Sequence, residues 1–537
     1  MPTDCISYQN SGYFSPLMND YLEQKSNLQS LYNRFPSLEN FEAQIIEKEI
    51  NFNDNGNING NAKRKVLVSV LEKQYAKINA SETTLNNIEL LNHSNTFTIT
   101  TGHQLNLFSG PLYFLYKIIS TINLTKELKV KYPSQNFVPI YWMATEDHDF
   151  DEINYFNFKG RKFRWNKEST GPVGRLSTEG LADFFEVYAQ ELGAGKNAEV
   201  LKKLFQESYL KHSNLTDATR FLANALFGEY GLVILDADNQ DLKRTFIPYI
   251  KEELTLQTSH KKVLETTEKL KNYTIQVNPR EINLFYMEND LRERIIFEND
   301  KYKVNNTKIE FSESEILELL KNHPEKFSPN VIMRPLYQEV ILPNLCYIGG
   351  GGEIAYWLEL KSFFDAVNVT FPILLLRNSV VLATEKQTKK ADKLGLSWKD
   401  LFSKQSDLVN IKTAELSKFP VDFSVQKEHL QKQFEVLFEI ANQTDKSFLG
   451  AVKAQEAKQI KGLENLEKRL LKAQKRKYSE TLERITDLQN ELFPNKSLQE
   501  RQANFSEFYL ENGNDFIDKL IATLKPLDAH FEIITLQ

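Results

Sequence analysis

Apolar runs and polar turns alternate most clearly between residues 96 and 154. A β-branched run at 96–101 predicts a buried strand, and an apolar run at 137–142 predicts a second one. Between them the spacing predicts an amphipathic helix, with Lys117 and Lys126 off its apolar face. That face consists of Leu115, Ile118, Ile119 and Ile122. Strand, helix and strand form a βαβ unit, and parallel sheets bind ligands outside the carboxyl ends of their strands.

Later apolar runs predict that the sheet continues. Residues 231–238, 345–348 and 371–376 are expected to form strands, and residues 353–364 a helix. The turn-rich region 273–311 predicts a β-rich insertion with short strands at 274–277, 283–287, 294–297 and 302–304. The fold class is therefore α/β, with an interrupted sheet spanning about residues 65–384.

We divide the chain into a core domain at 1–384, with insertions at about 155–230 and 258–330, and a helical region at 385–537. Beyond Ala391 glycine becomes rare, and apolar residues recur at nearly heptad spacing until Pro494. This stripe consists of Leu463, Leu466, Leu470, Ala473, Tyr478, Leu482, Ile485, Leu488 and Leu492. It predicts a coiled coil or an antiparallel helical hairpin, packed either on the chain's own core or on a second subunit.

Two stretches have an unusual composition. The asparagine-rich residues 51–61 predict a loop within an otherwise helical first ninety residues. Residues 157–165 alternate aromatic and basic side chains, which could bind nucleic acid by stacking and charge. Such a pattern is more often a short β-ribbon whose rings cover a core, and we expect the ribbon.

Composition narrows the class of protein. With 41% hydrophobic and 26% charged residues, the chain resembles a soluble globular protein, and 537 residues predict two or three structural units. A net charge of −6 argues against general binding to nucleic acid or anionic membranes. No apolar run reaches the ~20 residues that a membrane span needs, and we expect no signal peptide. Two cysteines are too few for a disulfide framework, and we expect a cytoplasmic location.

Four glycines precede the predicted helix at 353–364: Gly349, Gly350, Gly351 and Gly352. They expose successive backbone N–H groups at the N-terminus of the helix, where the helix dipole is positive. The turn, together with Glu353, could therefore bind phosphate or carboxylate. The turn matches neither the dinucleotide fingerprint nor a Walker loop, and a tight strand-to-helix turn would have the same sequence.

An acidic cluster follows the second predicted strand at residues 146–152, with five carboxylates and one histidine. In an extended segment Glu146 and His148 would point one way, and Asp147, Asp149 and Asp151 the other. Such a set could bind a divalent metal or orient amines and hydroxyls, although the spacing matches no recognised metal motif. A solvated acidic loop is the alternative.

Single residues at strand ends add further candidates. His103 directly follows Gly102 at the end of the first strand, where it could hold phosphate together with Gln104. Other candidates for ligand binding are Lys117, Arg334, Tyr337, Arg377 and Asn378.

Several long motifs occur in one order. They are 102–104 (GHQ), 109–113 (SGPLY), 146–154 (EDHDFDEIN), 278–286 (NPREINLFY), 327–339 (FSPNVIMRPLYQE), 352–357 (GEIAYW) and 500–505 (ERQANF). In these motifs the chain resembles the bacillithiol biosynthesis cysteine-adding enzymes, nearly end to end. The resemblance implies a Rossmann core like that of class I aminoacyl-tRNA synthetases, connecting-peptide insertions and a C-terminal coiled-coil dimerisation domain. It also implies addition of cysteine to glucosaminyl-malate. The chain departs from the family at Gly351, where a proline is frequent, and no Lys-Met-Ser-Lys-Ser signature follows the last predicted strand.

Amide formation needs an activated carboxyl and a neutral amine. We expect activation by ATP with Mg²⁺, as an adenylate or acyl phosphate, with the glycine turn, His103 and Gln104 holding anionic oxygens. One of Asp147, His148 or Asp149 would take the proton of the amine. Arg334 and Arg377 are candidates for the malate carboxylates.

Two other classes of function stay open. The basic stretch 453–484 has ten Lys or Arg against five Glu and could belong to a tRNA-binding factor, although a solvated helix face explains it more simply. The acidic cluster could instead serve a metal-dependent hydrolase. We expect small-molecule substrates and a homodimer formed through the coil, with neither nucleic acid nor membrane as a partner.

Overall fold

The computed structural model describes residues 4–54 and 60–536. Its strands are β1 (Asp4–Ser7), β2 (Thr96–His103), β3 (Asn136–Met143), β4 (Tyr155–Phe158), β5 (Arg161–Arg164), β6 (Val233–Asp236), β7 (Leu284–Glu288), β8 (Leu291–Glu298), β9 (Lys301–Val304), β10 (Glu310–Phe311), β11 (Phe327–Pro329), β12 (Asn344–Gly349), β13 (Ile373–Leu376), β14 (Ser379–Thr384) and β15 (His530–Leu536).

The α-helices are α1 (Tyr8–Ser11), α2 (Pro16–Leu22), α3 (Asn40–Asp54), α4 (Gly60–Tyr75), α5 (Glu82–Leu90), α6 (Tyr113–Lys131), α7 (Phe150–Ile153), α8 (Leu181–Leu192), α9 (Lys196–Phe205), α10 (Leu215–Phe227), α11 (Gln240–Leu256), α12 (Thr258–Lys269), α13 (Glu313–Asn322), α14 (Met333–Ile341), α15 (Gly351–Leu358), α16 (Lys361–Ala366), α17 (Glu385–Lys393), α18 (Trp398–Phe402), α19 (Gln405–Leu416), α20 (Ser424–Ala441), α21 (Lys446–Lys477), α22 (Ser479–Leu492), α23 (Gln499–Gln502), α24 (Phe505–Asn512) and α25 (Asp515–Thr523). Among these residues no helix is long and apolar enough to cross a membrane.

A parallel sheet of five strands, in the order β13-β12-β2-β3-β6, forms the centre of the core. Every residue of β2 is buried, as its β-branched sequence predicts for a strand covered on both faces. The chain runs outward from β2 through β3 to β6 and returns on the other side as β12 and β13. The strand order therefore reverses between β2 and β12, which is where such sheets bind ligands.

The predicted βαβ unit is confirmed as β2, α6 and β3, and the apolar face of α6 is fully buried. The prediction that Lys117 lies off the buried face is wrong, because its side chain is buried with an acidic partner. The predicted helix at 353–364 is interrupted and forms α15 and α16.

Two insertions extend from this sheet. In the first, β4 and β5 form the predicted ribbon, and the rings of Phe156, Phe158 and Phe163 pack on Tyr188 of α8. The rings are buried, so they are not available to stack on bases. In the second, strands β10-β9-β8-β7-β11 form an antiparallel sheet, hereafter the insertion sheet.

The strand predicted at 274–277 is absent from the described structure. Instead, the N–H groups of Gln276 and Val277 donate to the buried carboxylate of Glu359, at 2.7 and 3.3 Å. The Glu359 side chain therefore accepts the backbone hydrogen bonds that a neighbouring strand would have accepted if 274–277 had formed a strand.

A third sheet, β1-β15-β14, joins both ends of the described chain to the end of the core. Sequence patterns predicted none of its strands. Near the chain's start, residues 51–54 of the predicted loop are the last turn of α3, residues 60–61 begin α4, and residues 55–59 lie outside the described part.

The C-terminal region begins with α17 directly after β14 and contains a long hairpin of α20 and α21. In the predicted stripe, Leu482, Ile485, Leu488 and Leu492 of α22 are buried in the chain's own core. Leu466 of α21 is 53% exposed. The second half of the stripe therefore packs internally, whereas its first half lies on the exposed hairpin.

Candidate active site

A cavity of about 850 Å³ opens where the carboxyl ends of β2, β3 and β12 meet. Gly102 and Gly350 line it on either side of the point where strand order reverses. The insertion sheet contributes one wall, and Arg501 from α23 contributes another. Its size and its place in the sheet make it the candidate active site.

His103 lies at the end of β2, with its buried ring against those of Tyr113 and Phe114. Burial lowers the pKa of the imidazole well below its ordinary value, and the charges of Lys117 and Arg377 lower it further. The ring is therefore neutral near pH 7. Its Nε2 is buried, and within the described residues it has no hydrogen-bond partner. Such an atom in a cavity wall is suited to binding a ligand.

Lys117 and Glu353 form an ion pair beneath the glycine turn, with Nζ and Oε2 2.5 Å apart. Lys117 also donates to the carbonyl of Gly102 at 2.8 Å. The Glu353 carboxylate accepts from the Gly350 N–H at 2.8 Å and from the Tyr347 hydroxyl at 2.7 Å. Burial acts to raise the pKa of Glu353, but Lys117 and these hydrogen bonds outweigh it and lower the pKa. Glu353 is thus a paired anion that caps α15 at the cavity wall and not a free base.

The four glycines of the turn have different surroundings, so they are not equivalent as parts of the predicted anion cradle. At Gly349 a Cβ would lie 2.9 Å from the Cβ of Glu353, which makes this glycine a packing requirement. Gly350 and Gly352 line the cavity, whereas Gly351 does not. The Gly350 N–H already has Glu353 as its acceptor, and a Cβ at Gly352 would meet no atom within 4 Å. Gly352 is therefore the most open position of the turn.

The acidic cluster is a turn followed by α7 and not an extended segment, so the predicted alternation of its side chains is wrong. Glu146 pairs with buried Lys243 at 2.8 Å. Asp149 caps α7, is exposed and does not line the cavity. Asp147 does line it, and its carboxylate accepts from Gln104 Nε2 at 2.7 Å. No group of three or more acidic, histidine or cysteine side chains in the described residues is arranged to hold a metal.

His148 is held by Arg292, with Nδ1 and Nη1 2.6 Å apart. Because a guanidinium only donates, Nδ1 is the acceptor and Nε2 carries the ring proton. Burial lowers the pKa of His148, and the charge of Arg292 lowers it further. In this geometry the Nδ1 lone pair is already in use, which does not favour His148 as the proton acceptor, and that role stays a prediction. Of the three predicted bases, only Asp147 combines a cavity position with an acceptor.

Arg377 forms two hydrogen bonds to Glu500, from Nη1 at 3.1 Å and Nη2 at 2.7 Å, and both side chains are buried. Its bidentate edge is thus occupied by Glu500, which does not favour the predicted pairing with malate, and that role stays a prediction. Its Nε is buried without a partner among the described residues. The side chain of Asn378 is buried with two internal partners, since it accepts from the Ser120 hydroxyl at 2.8 Å and donates to the Lys525 carbonyl at 2.9 Å.

Arg334 lines the cavity but is enclosed, with its Cζ 5.6–6.0 Å from three aromatic rings, those of Trp142, Tyr347 and Trp357. It also donates to Gln338 at 3.1 Å. Tyr337 is fully buried, donates to a backbone carbonyl and does not line the cavity. The structure therefore places Tyr337 behind the cavity wall and does not favour its predicted ligand-binding role, which stays a prediction.

Sequence reasoning missed four lining cations, which are Arg280, Arg292, Arg294 and Arg501. The motifs at 278–286 and 500–505 marked the places of Arg280 and Arg501 without suggesting a role. Of the described residues that line the cavity, seven are Lys or Arg and three are Asp or Glu, a formal excess of four positive charges (7 − 3). In a chain of net charge −6, this excess indicates anionic ligands.

Two family models together match nearly the whole chain. The N-terminal Rossmann-like domain of bacillithiol biosynthesis BshC matches residues 1–378, and the C-terminal coiled-coil domain of BshC matches residues 380–536. The chain belongs to the BshC family. The predicted family, the Rossmann-like core and the coiled-coil region are thereby confirmed, whereas the likeness to class I synthetases stays a prediction.

Similar proteins cover the chain from end to end. Relatives from Flavobacterium johnsoniae, Flavobacterium psychrophilum and Christiangramia forsetii are 73%, 66% and 58% identical to it. The matches cover 100%, 99% and 100% of this chain and 100%, 99% and 99% of the relatives. Each of these BshC proteins is named "Putative cysteine ligase BshC".

Proposed function

We propose that the protein is a cysteine ligase that joins the carboxyl of cysteine to the amine of glucosaminyl-malate and so completes bacillithiol. The charge of the cavity carries this proposal. Of its three acidic side chains, Glu146 and Glu353 are paired with lysines, whereas Asp147 has no Lys or Arg partner in the described part of the chain. One such carboxylate in an otherwise cationic cavity suits an amine substrate that also carries carboxylates.

Asp147 would bind the substrate ammonium and accept its proton. Gln104 fixes this carboxylate from the end of β2, and the N–H of His148 donates to its other oxygen at 2.7 Å. Both hydrogen bonds hold the carboxylate in one orientation, which a base needs if it is to meet the amine.

ATP with Mg²⁺ is the proposed source of activation, and when bound it would make the cysteine carboxyl open to attack by an amine. The residues present fit an anionic group, because His103 Nε2 and Arg377 Nε are buried polar atoms without partners in the described chain. Gly352 and Arg501 line the cavity as well. We assign these four residues to the phosphates and to the cysteine carboxyl.

A homodimer is part of the same proposal. The α20–α21 hairpin exposes apolar side chains that the chain's own core leaves uncovered, among them Leu437, Ile440, Phe448 and Leu466, with exposed fractions of 41–53%. A second hairpin would cover them. We also propose a cytoplasmic location, because cysteine and ATP are cytoplasmic metabolites.

The test is incubation of the purified protein with cysteine, glucosaminyl-malate and Mg-ATP, followed by mass spectrometry. We expect the thiol product together with AMP or ADP, and omission of ATP should abolish both. Salt-dependent affinity for nucleic acid without product would instead support the tRNA-binding alternative. Hydrolysis that needs no ATP and is stopped by a chelator would support the metal-dependent hydrolase.

A further inference from the structure

Arg292 is a half-buried cation that has no counter-ion among the described residues. Its Nε donates to Ser328 Oγ at 3.0 Å, Nη1 to His148 Nδ1 at 2.6 Å and Nη2 to the Pro329 carbonyl at 3.2 Å. Its Cζ lies 4.0 Å from the centre of the Phe285 ring. Among the described residues no carboxylate lies within ion-pair distance. These contacts fix the guanidinium but do not neutralise its charge, and a partly desolvated charge is more favourable with an opposite charge beside it.

The fixed guanidinium still has hydrogen-bonding capacity. It carries five N–H donors, and the contacts above use three of them. One donor on each Nη remains, which is the arrangement that a carboxylate can accept in a bidentate pair. Because Arg292 lines the cavity, these two donors are available to a ligand there.

Two more arginines lie on the same side. Arg294 follows two positions later in β8, so it shares the face of Arg292, and it also lines the cavity. Arg280 lines it from the irregular segment before the insertion sheet. In the described part of the chain, neither side chain has a hydrogen bond or ion pair. Three cations on this wall can bind more than one negative charge.

His148 extends this donor surface. Its Nδ1 accepts from Arg292, so its Nε2–H remains as a donor in the cavity. The neighbouring residue is Asp147, the proposed acceptor for the amine. A ligand bound by Arg292 and His148 would therefore place its next group beside Asp147.

We propose that Arg280, Arg292 and Arg294, with the Nε2–H of His148, form a dicarboxylate subsite that binds the malyl arm of the amine substrate. This inference rests on the proposed function and replaces the expected malate roles of Arg334 and Arg377. The cavity is then divided between two ends. The insertion sheet holds the dicarboxylate, and the β2–β12 end with His103 holds the carboxyl that is activated.

The test compares the Arg294→Met variant with wild type, using free malate as the probe. Arg294 has no internal partner in the described structure, so its replacement should leave the fold intact. We expect KM for glucosaminyl-malate to rise ~10–100-fold, the range for a lost charged hydrogen bond, with kcat nearly unchanged. Malate should inhibit wild type competitively and raise its melting temperature, and both effects should be lost in Arg294→Met.

Two further variants sharpen the result. Lys303→Met removes a cation from β9 of the same sheet, away from the cavity lining, and should behave as wild type. Arg292→Lys keeps the positive charge but loses the planar guanidinium that can pair with a carboxylate through two N–H groups. It should therefore weaken malate binding less than Arg292→Met does. An Arg294→Met enzyme with the wild-type KM and wild-type inhibition by malate would overturn the subsite while leaving the ligase intact. If wild type makes no product but malate still stabilises it through Arg294, the proposed function fails and the subsite stands.

Discussion

The pair of Arg377 and Glu500 joins the core domain to the C-terminal region and gives a quantitative test of the structure. The Glu500 carboxylate accepts hydrogen bonds from both Nη groups of Arg377. It also accepts from the N–H of Val380 at 3.2 Å and from the hydroxyl of Ser379 at 3.4 Å. Both charged side chains are at most 4% exposed. Because water cannot replace the lost charge there, Glu500→Gln leaves Arg377 buried and unpaired. Breaking a buried pair from one side costs about 3–5 kcal/mol.

Amide hydrogen exchange measures the loss of stability locally, in the segments around Arg377 and Glu500. It does not require the assumption that so long a chain unfolds in two states. A loss of about 3 kcal/mol corresponds to more than a hundredfold faster exchange, at 1.36 kcal/mol per factor of ten. We expect that acceleration in peptides that cover β14. The matched control is Glu491→Gln on α22, which removes an exposed ion-pair partner of Lys390 on α17. It should change the free energy of opening measured by exchange by at most about 1 kcal/mol.

A double replacement tests the reasoning itself. If the loss in Glu500→Gln comes from an unpaired charge, Arg377→Met combined with Glu500→Leu should restore most of the protection, because apolar residues of similar size often replace a buried pair without loss. Exchange in β14 within twofold of wild type in Glu500→Gln would refute the argument. So would a double variant less protected than Glu500→Gln.

Three further outcomes follow from the site and the hairpin. Asp147→Asn should lower product formation at least ~100-fold, the scale of a lost general base, with ATP-linked thermal stabilisation unchanged. Asp149→Asn should keep most of the activity, because Asp149 caps α7 outside the cavity. Near-wild-type rates in both variants would show that the acidic turn is only a solvated loop. Gly352→Val adds a side chain only to open space, so it should keep its melting temperature but lose stabilisation by ATP, and full stabilisation would remove the glycine turn from the anion site. Ile440→Lys with Leu466→Lys changes two exposed positions, so the monomer should fold, but charges at a dimer seam should leave it monomeric in sedimentation.

Patterns along the sequence predicted what local spacing determines. The strands and the helix of the βαβ unit follow from residues close together in the chain, and they were confirmed. The β1-β15-β14 sheet was missed because Asp4 pairs with Ile533 and Ser379 with Phe531, partners that no local pattern connects. Lys117 was misplaced because lysine counts as polar in such a pattern, whereas here Glu353 compensates its burial.

The site was only partly predictable for a related reason. The ends of β2, β3 and β12 were recognised because polar residues follow apolar runs there. Arg292 and Arg294 were not, because alternating charges in a strand are usually solvated, and only the fold turns that face of β8 toward the cavity. Arg377 was predicted to be free for a ligand at the end of a strand, because its partner Glu500 lies 123 residues away in the sequence.

The same distant segment controls the turn that follows His103. Phe108 has a φ of +48° and Ser109 a φ of +65°, values that side-chain-bearing residues rarely adopt and that cost about 1–3 kcal/mol each. Asn504 donates to the carbonyls of Phe108 and Gly110, at 2.9 and 2.6 Å, and the Ala503 carbonyl accepts from the Leu112 N–H. These hydrogen bonds offset the strain.

Residues 499–504 therefore contribute to the site in three ways. Asn504 holds the strained turn between β2 and α6. Glu500 pairs with Arg377, which lines the cavity, and Arg501 lines the cavity as well. A core that ended at β14 would keep the parallel sheet but would have a buried unpaired arginine and an unsupported turn beside His103. The C-terminal region is thus as much a part of the candidate active site as the strands that position it.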